Sequence, residues 1–184
     1  MRWLDNLMGW KNVTYDWVAD RSRPLVYDFD EHRFCGVRVG GGIDGLAHLG
    51  PSDNKNALDP AALSYKALGL DVLYESEAQR MEGVVFVFED ATMGNYTGTF
   101  RWQGQIVSLG RHMTTRDLSA ILGEPYWQEA ETETDTVLYY EWPGIEAQAA
   151  FENDHLASLE ISIYPELADA DVREMLGVTK PWTY

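Results

Sequence analysis

The chain has 184 residues, enough to bury a sizeable core as one domain or two small lobes, and its composition (45% apolar, 12% aromatic, 24% charged) is globular. A formal net charge of −16, with fourteen acidic residues and no Lys or Arg between Asp117 and Val172, disfavours nucleic acid and anionic membrane as partners of that half. No apolar run approaches the ~20 residues that span a bilayer, Met1 to Gly9 lacks the apolar core of a secretory signal, and the single cysteine, Cys35, excludes an intrachain disulfide.

A cytoplasmic protein is expected. Residues 2–8 place Trp3, Leu4, Leu7 and Met8 on one side of a short helix that Gly9 ends. Trp3, Trp10 and Trp17 recur every seven positions, but Gly9 and the β-branched Val13-Thr14 interrupt a continuous stripe. Each tryptophan therefore reads as a separate anchor of an N-terminal arm, residues 1–33. Residues 25–29 and 34–39 alternate as strands about the polar turn Asp30-Glu31-His32-Arg33. Gly36 to Gly45 is glycine-rich but lacks the Lys-Ser/Thr of a phosphate loop, and it reads as a flexible turn from strand to helix.

A short helix follows in each half. Asp44 is the expected cap of the first, which carries Leu46 and Leu49. In the second, Thr114 is the N-cap with Asp117 three residues later, and Leu118, Ile121 and Leu122 follow at helical spacing. Gly123 suits the left-handed position after the helix, and Pro125 prevents continuation. Strand-like segments come next: 62–68, 70–75 and 83–89 in the first half, 136–142, 145–151 and 156–164 in the second. A hairpin from Thr99 to Leu109, about Gln103-Gly104, joins the halves. Short connections force antiparallel neighbours, because a parallel pair needs a long crossover. A partial third echo of the helix signal, Asp169, Val172, Met175, Leu176 and Gly177, closes the chain.

The halves share a pattern. Leu63 to Val72 returns as Leu138 to Ala147 at an offset of 75 (138 less 63), and at that offset Val84, Phe86 and Phe88 fall on Leu159, Ile161 and Ile163. Leu49-Gly50-Pro51 returns as Leu122-Gly123-Glu124-Pro125. This predicts an α+β fold of two tandem helix-plus-antiparallel-meander repeats, residues 34–98 and 99–165, with helices on one face of the sheet and a C-terminal helix and tail over 166–184. The pattern resembles the tandem repeat of the β-lactamase-inhibitor-protein-like fold, and the single unit of the related outer-membrane assembly lipoproteins. The resemblance spans roughly residues 34–165 and rests on the two Leu-Gly motifs, Tyr65, Tyr140 and the element order. The chain departs from it by lacking a lipobox and the cysteine pairs that staple the inhibitor's lobes. What the resemblance implies is a sheet face that binds proteins; it carries over no functional residue.

Motifs of chemistry are sparse. His32, His48, His112 and His155 include no pair at metal-ligand spacing. Asp28, Asp30, Glu31 and His32 cluster in sequence, but alternation along a strand separates them. Cys35 reads as a small buried thiol on a strand. Carboxylates abound, yet no spacing forces two into one cleft. No catalytic residue, metal site or cofactor is expected.

Alternation does assign faces. With the shared apolar positions inward, Ser64, Lys66, Val85 and Val87 face outward in the first repeat. In the second, Tyr139, Glu141, Glu160 and Tyr164 do so, with Glu146 alongside. Tyrosines interleaved with carboxylates on an open sheet suit a basic protein partner. The expected function is a non-catalytic, acidic protein-binding module of bacterial type, an inhibitor or a toxin-immunity protein for a basic partner. An enzyme or small-ligand protein using a cleft between the repeats, and an assembly or scaffold module, are the alternatives.

Overall fold

The computed structural model describes residues 11–57, 60–130, 132 and 134–182. The helix expected over residues 2–8, with Trp3 and Trp10, lies outside the described residues. Trp17 lies within them, half-buried against the core after a 3-10 turn, Val13–Asp16, capped by the Asn12 side chain.

The architecture is α+β and mostly sheet. Seven antiparallel strands run in the order β4 (Ala62–Tyr65), β5 (Leu70–Glu75), β6 (Arg80–Val87), β12 (His155–Ser162), β11 (Ile145–Glu152), β10 (Thr136–Trp142) and β9 (Trp127–Ala130). A smaller sheet runs β3 (Val37–Arg38), β2 (Arg33–Phe34), β1 (Val26–Asp28), β7 (Thr99–Trp102) and β8 (Gln105–Val107). Its β1–β7 pair is parallel, which joins the N-terminal arm to the central hairpin. The helices are α1 (Thr115–Leu122) and α2 (Ala170–Met175), with 3-10 segments at Ile43–Leu49, Lys66–Leu68 and Glu166–Ala168. Among the described residues no helix is long and apolar enough to cross a membrane.

Period-two alternation builds the large sheet's inner face. Tyr65, Leu70, Phe86, Leu159, Ala149 and Leu138 form one row across six strands, and Leu63, Val72, Val84, Ile161, Ala147 and Tyr140 form the next. All twelve are buried. The small sheet closes over them with aromatic side chains. Around Phe86 the ring centroids of Phe100, Tyr27 and Phe34 lie at 5.0, 5.7 and 5.7 Å, edge-on. Ile43, Leu46 and Leu49 from the first 3-10 segment, and Leu118 and Leu122 from α1, fill the rest of the same core.

The α1 signals are realised: the Thr114 Oγ accepts from the Asp117 N–H at 3.3 Å, the Thr114 N–H donates to Asp117 at 3.0 Å, and Gly123 takes φ +92°. Its first-half counterpart differs. Gly42 stands at the N-cap of Ile43–Leu49, and Asp44 falls inside the first turn instead of capping it. The Ile43 N–H is already spent on Gln79 O at 3.1 Å, so the entry is held by the β5–β6 turn. The expected 34–39 strand is broken at Cys35 and Gly36, whose φ values of 50° and 85° make a tight hairpin between β2 and β3. Cys35 is thus a half-buried turn residue, its thiol pushed up to about 11 by burial. The segment 66–68 leaves the sheet as a 3-10 turn, and β9 lies where a polar loop was expected.

The register refines the internal correspondence. Tyr65, Leu70 and Phe86 share a row in β4–β6, and Tyr140, Ala147 and Ile161 share one in β10–β12. The flanking strands keep the offset of 75 (140 less 65, 161 less 86), whereas the middle strands differ by 77 (147 less 70). The cause is the turn. The first hairpin crosses through 66–69, with Gly69 at φ +60° so close to the Gly94 and Tyr96 backbones that no side chain fits. The second crosses in two residues, Pro143 and Gly144, and Glu141 and Trp142 extend the pairing. Gly69 and Gly144 therefore do not occupy equivalent places, contrary to the constant-offset reading.

Helices also occupy both faces of the large sheet rather than one. After β12 the chain doubles back, and Glu166–Ala168 lies over the outer face: Leu167 is fully buried and its N–H donates to Glu146, which points away from the core residue Ala147.

Candidate functional site

The outer face of β9–β12 is where the sequence places its acids and tyrosines. One row across it reads Trp127, Tyr139, Gln148 and Glu160, and continues through Val85, Asp71 and Ser64. The next row pairs Glu141 directly with Glu146, then Ser162 and Gly83. Alternation thus brings Tyr139, Glu141, Glu146 and Glu160 onto one surface, as read from the sequence.

That surface is not open. Tyr139, Glu141 and Glu146 retain 4%, 7% and 1% of their exposure, Glu160 is half-buried, and Tyr164 is 56% exposed. The returning segment lies against this face at Glu146, where it is fastened by the Leu167 N–H, and no local pattern in the strands announces it. Tyr139 cannot be an exposed anchor: its hydroxyl donates to Glu129 Oε2 at 3.1 Å, and burial together with the Glu129 charge raises its pKa. Tyr164 lies beyond the end of β12. Its hydroxyl donates to Glu82 at 2.6 Å and accepts from Arg80 at 3.2 Å, tying it to β6. In the first triplet Val85 and Ser64 are half-buried and Val87 is buried, while Lys66 sits in the 3-10 turn.

Glu141 and Glu146 are two buried carboxyls standing directly opposite each other. Glu146 accepts twice, from Gln148 Nε2 at 2.6 Å and from the Leu167 N–H at 3.2 Å. Glu141 has no donor of its own: as an anion both its oxygens would be buried and unsatisfied. Burial first, and then the facing Glu146, push its pKa up to about 10, so it is a neutral acid near pH 7 with a proton to share with its neighbour. Glu160 is shifted upward too, by burial and then by Glu166 and Glu146. The pair presents no carboxyl oxygen of Glu141 to solvent, and its visible work is to fasten the returning segment to the sheet.

Other acids of this half do reach solvent, at one end of β11 and on the returning segment. Glu152 and Asp154 at the β11–β12 turn, and Glu166, Asp169 and Asp171 on the returning segment, are exposed. Among the described residues, no group of three or more His, Cys, Asp or Glu is arranged to hold a metal ion. The triplets β4–β6 and β10–β12 meet by direct β6–β12 hydrogen bonding, so they share an edge and not a cleft. The covering segment was the missed part of the site. Its usable signals were Pro165, which bars a return to strand after β12, and Leu167, an apolar residue among acids.

No protein-family model matches the chain, and no curated protein matches it. Among solved structures, a DUF4309 family protein (YjgB) from Bacillus subtilis is similar over 65% of this chain and 75% of its own, at 14% identity and a TM-score of 0.42. Likeness at that level carries no weight for fold or function.

Proposed function

We propose that this chain is a non-catalytic, acidic protein-binding module for a basic partner, of the inhibitor or toxin-immunity kind, acting in the bacterial cytoplasm. The observation that carries the reading is the base-free stretch from Asp117 to Val172, whose exposed acids include Glu166, Asp169 and Asp171 on the segment that crosses the outer face. The docking surface is accordingly shifted from the one the sequence marks. Glu160, Glu166, Asp169 and Asp171 form its charge, and the exposed ring of Tyr164 is its anchor. Tyr139, Glu141 and Glu146 lie beneath and hold the surface in place. Carboxylates in this arrangement chiefly raise the association rate and select a basic partner, while the aromatic ring supplies contact energy. We read the architecture as two tandem repeats, supported by the matching rows Tyr65–Leu70–Phe86 and Tyr140–Ala147–Ile161.

The test is parallel capture on immobilised wild type and on Glu160→Lys/Glu166→Lys/Asp171→Lys. Basic proteins retained by the first and lost by the second, with association slowing as salt rises to about 0.5 M, support the reading. Partners that bind both equally, or ignore salt, overturn it.

A further inference from the structure

The small sheet carries a feature opposite in sign to the rest of the molecule. Its inner face is Tyr27, Phe34 and Phe100, all buried in the core, so their strand neighbours point outward. Directly paired positions on that outer face read Arg38, Arg33, Asp28 and Arg101 across β3, β2, β1 and β7. Three guanidiniums thus flank one carboxylate, and Arg33 stands opposite Arg38, a like-charge pair that destabilises a sheet. A chain with 30 acidic and 14 basic residues has no shortage of carboxylates to place there.

Arg33, Asp28 and Arg101 of this row line a cavity of about 570 Å³, well within the size range of small-molecule sites. Arg23 and Glu31 complete its charged lining, and His48 and Cys35 also border it. The ion pairs within reach are long or solvent-exposed: Arg23–Asp20 at 3.8 Å, Arg33–Glu31 at 3.9 Å and Arg101–Asp28 at 3.3 Å. Such pairs contribute little and are readily exchanged for a better partner. His48 is part of the wall: it is nine-tenths buried, its Nδ1 lies 3.1 Å from Gly45 O, and its Nε2 is closed off from solvent, so it is not a group that meets a ligand.

We propose that this cavity binds a small organic anion of the carboxylate or phosphate type. The Arg33 and Arg101 guanidiniums grip its charged head and Arg23 closes one side. Planar guanidinium forks match both head groups, so they define the shared chemistry. The inference is independent of the basic-partner reading, because it uses a different sheet and no residue of the acidic surface.

The experiment is calorimetric titration with amide shift mapping of the full chain, using inorganic phosphate, succinate, glucose 6-phosphate and, as a neutral control, glucose. At least one anion is expected to bind with Kd of about 1 mM or tighter, moving amides of residues 23–36, 48 and 101, while glucose does not. Which anion binds tells phosphate from carboxylate. Arg33→Gln and, separately, Arg101→Gln should each weaken binding at least about tenfold, the size of one lost charge-assisted hydrogen bond. Glu31→Gln, which frees Arg33, should tighten it, an outcome that a merely structural role would not produce. Arg116→Gln on α1 should change nothing. Absence of binding below about 10 mM for all three anions, equal binding of glucose, shifts centred elsewhere, or indifference to Arg33→Gln overturns the proposal.

Discussion

Strands β4–β6 turn Leu63, Tyr65, Leu70, Val72, Val84 and Phe86 inward, and β10–β12 answer with Leu138, Tyr140, Ala147, Ala149, Leu159 and Ile161 in the same rows. Where the first middle strand has Leu and Val, the second has two alanines. Larger residues at the end of β10 offset the lost volume, with Tyr140 stacked on Trp142 at 6.2 Å and Phe29 against Trp142 at 6.1 Å. The outer faces share no such correspondence: Ser64, Asp71 and Val85 on one side, Tyr139, Gln148 and Glu160 on the other. Packing holds the inner rows to a common plan, because a buried position tolerates little change in volume. Outer positions answer only to what covers them, and over the second triplet the segment around Leu167 bonds Glu146.

The largest effect should come from emptying equivalent inner positions. Tyr140→Ala and Tyr65→Ala are each expected to lose about 3–5 kcal/mol in chemical denaturation. A loss below ~1 kcal/mol for either would break the equivalence of the two faces.

Leu167→Ala comes next, at about 2–5 kcal/mol, since the side chain is fully buried and seats the segment over Glu146. Leu167→Ala within ~0.5 kcal/mol of wild type would mean that the cover is not a stabilising part of the second triplet.

A third effect separates the triplets by pH. Glu141 is pushed up to about 10 in the fold, while a solvated glutamate ionises near ~4.3, so between these values the folded chain keeps a proton the unfolded chain has lost. The resulting stability is full below the lower value and is lost as pH rises toward the upper one, at no more than ~1.4 kcal/mol per pH unit. Glu141→Gln should therefore flatten the decline in stability between about pH 6 and about pH 9. An unchanged slope would show Glu141 ionised in the fold. Smallest of all, Thr114→Ala should cost about 1 kcal/mol by removing the cap of α1. The first-half 3-10 segment, which has no side-chain cap, offers no counterpart, and Asp44→Ala should change stability by less than ~0.5 kcal/mol.

What could be read from the sequence follows the same division. Alternation over 70–75 and 136–142 gives those strands to the residue, because one side of each is pressed into a core. The Thr114-Asp117 box is equally local and equally legible. β9 escaped because Trp127-Gln128-Glu129-Ala130 has a single large apolar residue and no alternation to betray a strand. Cys35 and Gly36 were read as strand because the turn needs two positive φ values, and cysteine seldom supplies one. The closed outer face was illegible for another reason. Tyr139, Glu141 and Glu146 look solvent-facing by period, yet all three are buried, Tyr139 bonded to Glu129 and Glu146 bonded by the Leu167 N–H about twenty residues downstream. Burial by a distant element leaves no mark on the strand it buries.

The central functional claim is that the exposed acids Glu166, Asp169 and Asp171, with the half-buried Glu160, receive a basic partner, and the Glu141–Glu146 carboxyl pair does not. Amide and side-chain shift mapping with an oligolysine peptide at low salt tests it most directly. The account predicts shifts concentrated at Glu160, Tyr164, Glu166, Asp169 and Asp171, erased by Glu160→Lys/Glu166→Lys/Asp171→Lys and untouched by Glu141→Gln. Shifts spread evenly over the acidic surface, or centred on Asp71, Glu75 and Glu77 of the first triplet, would contradict it.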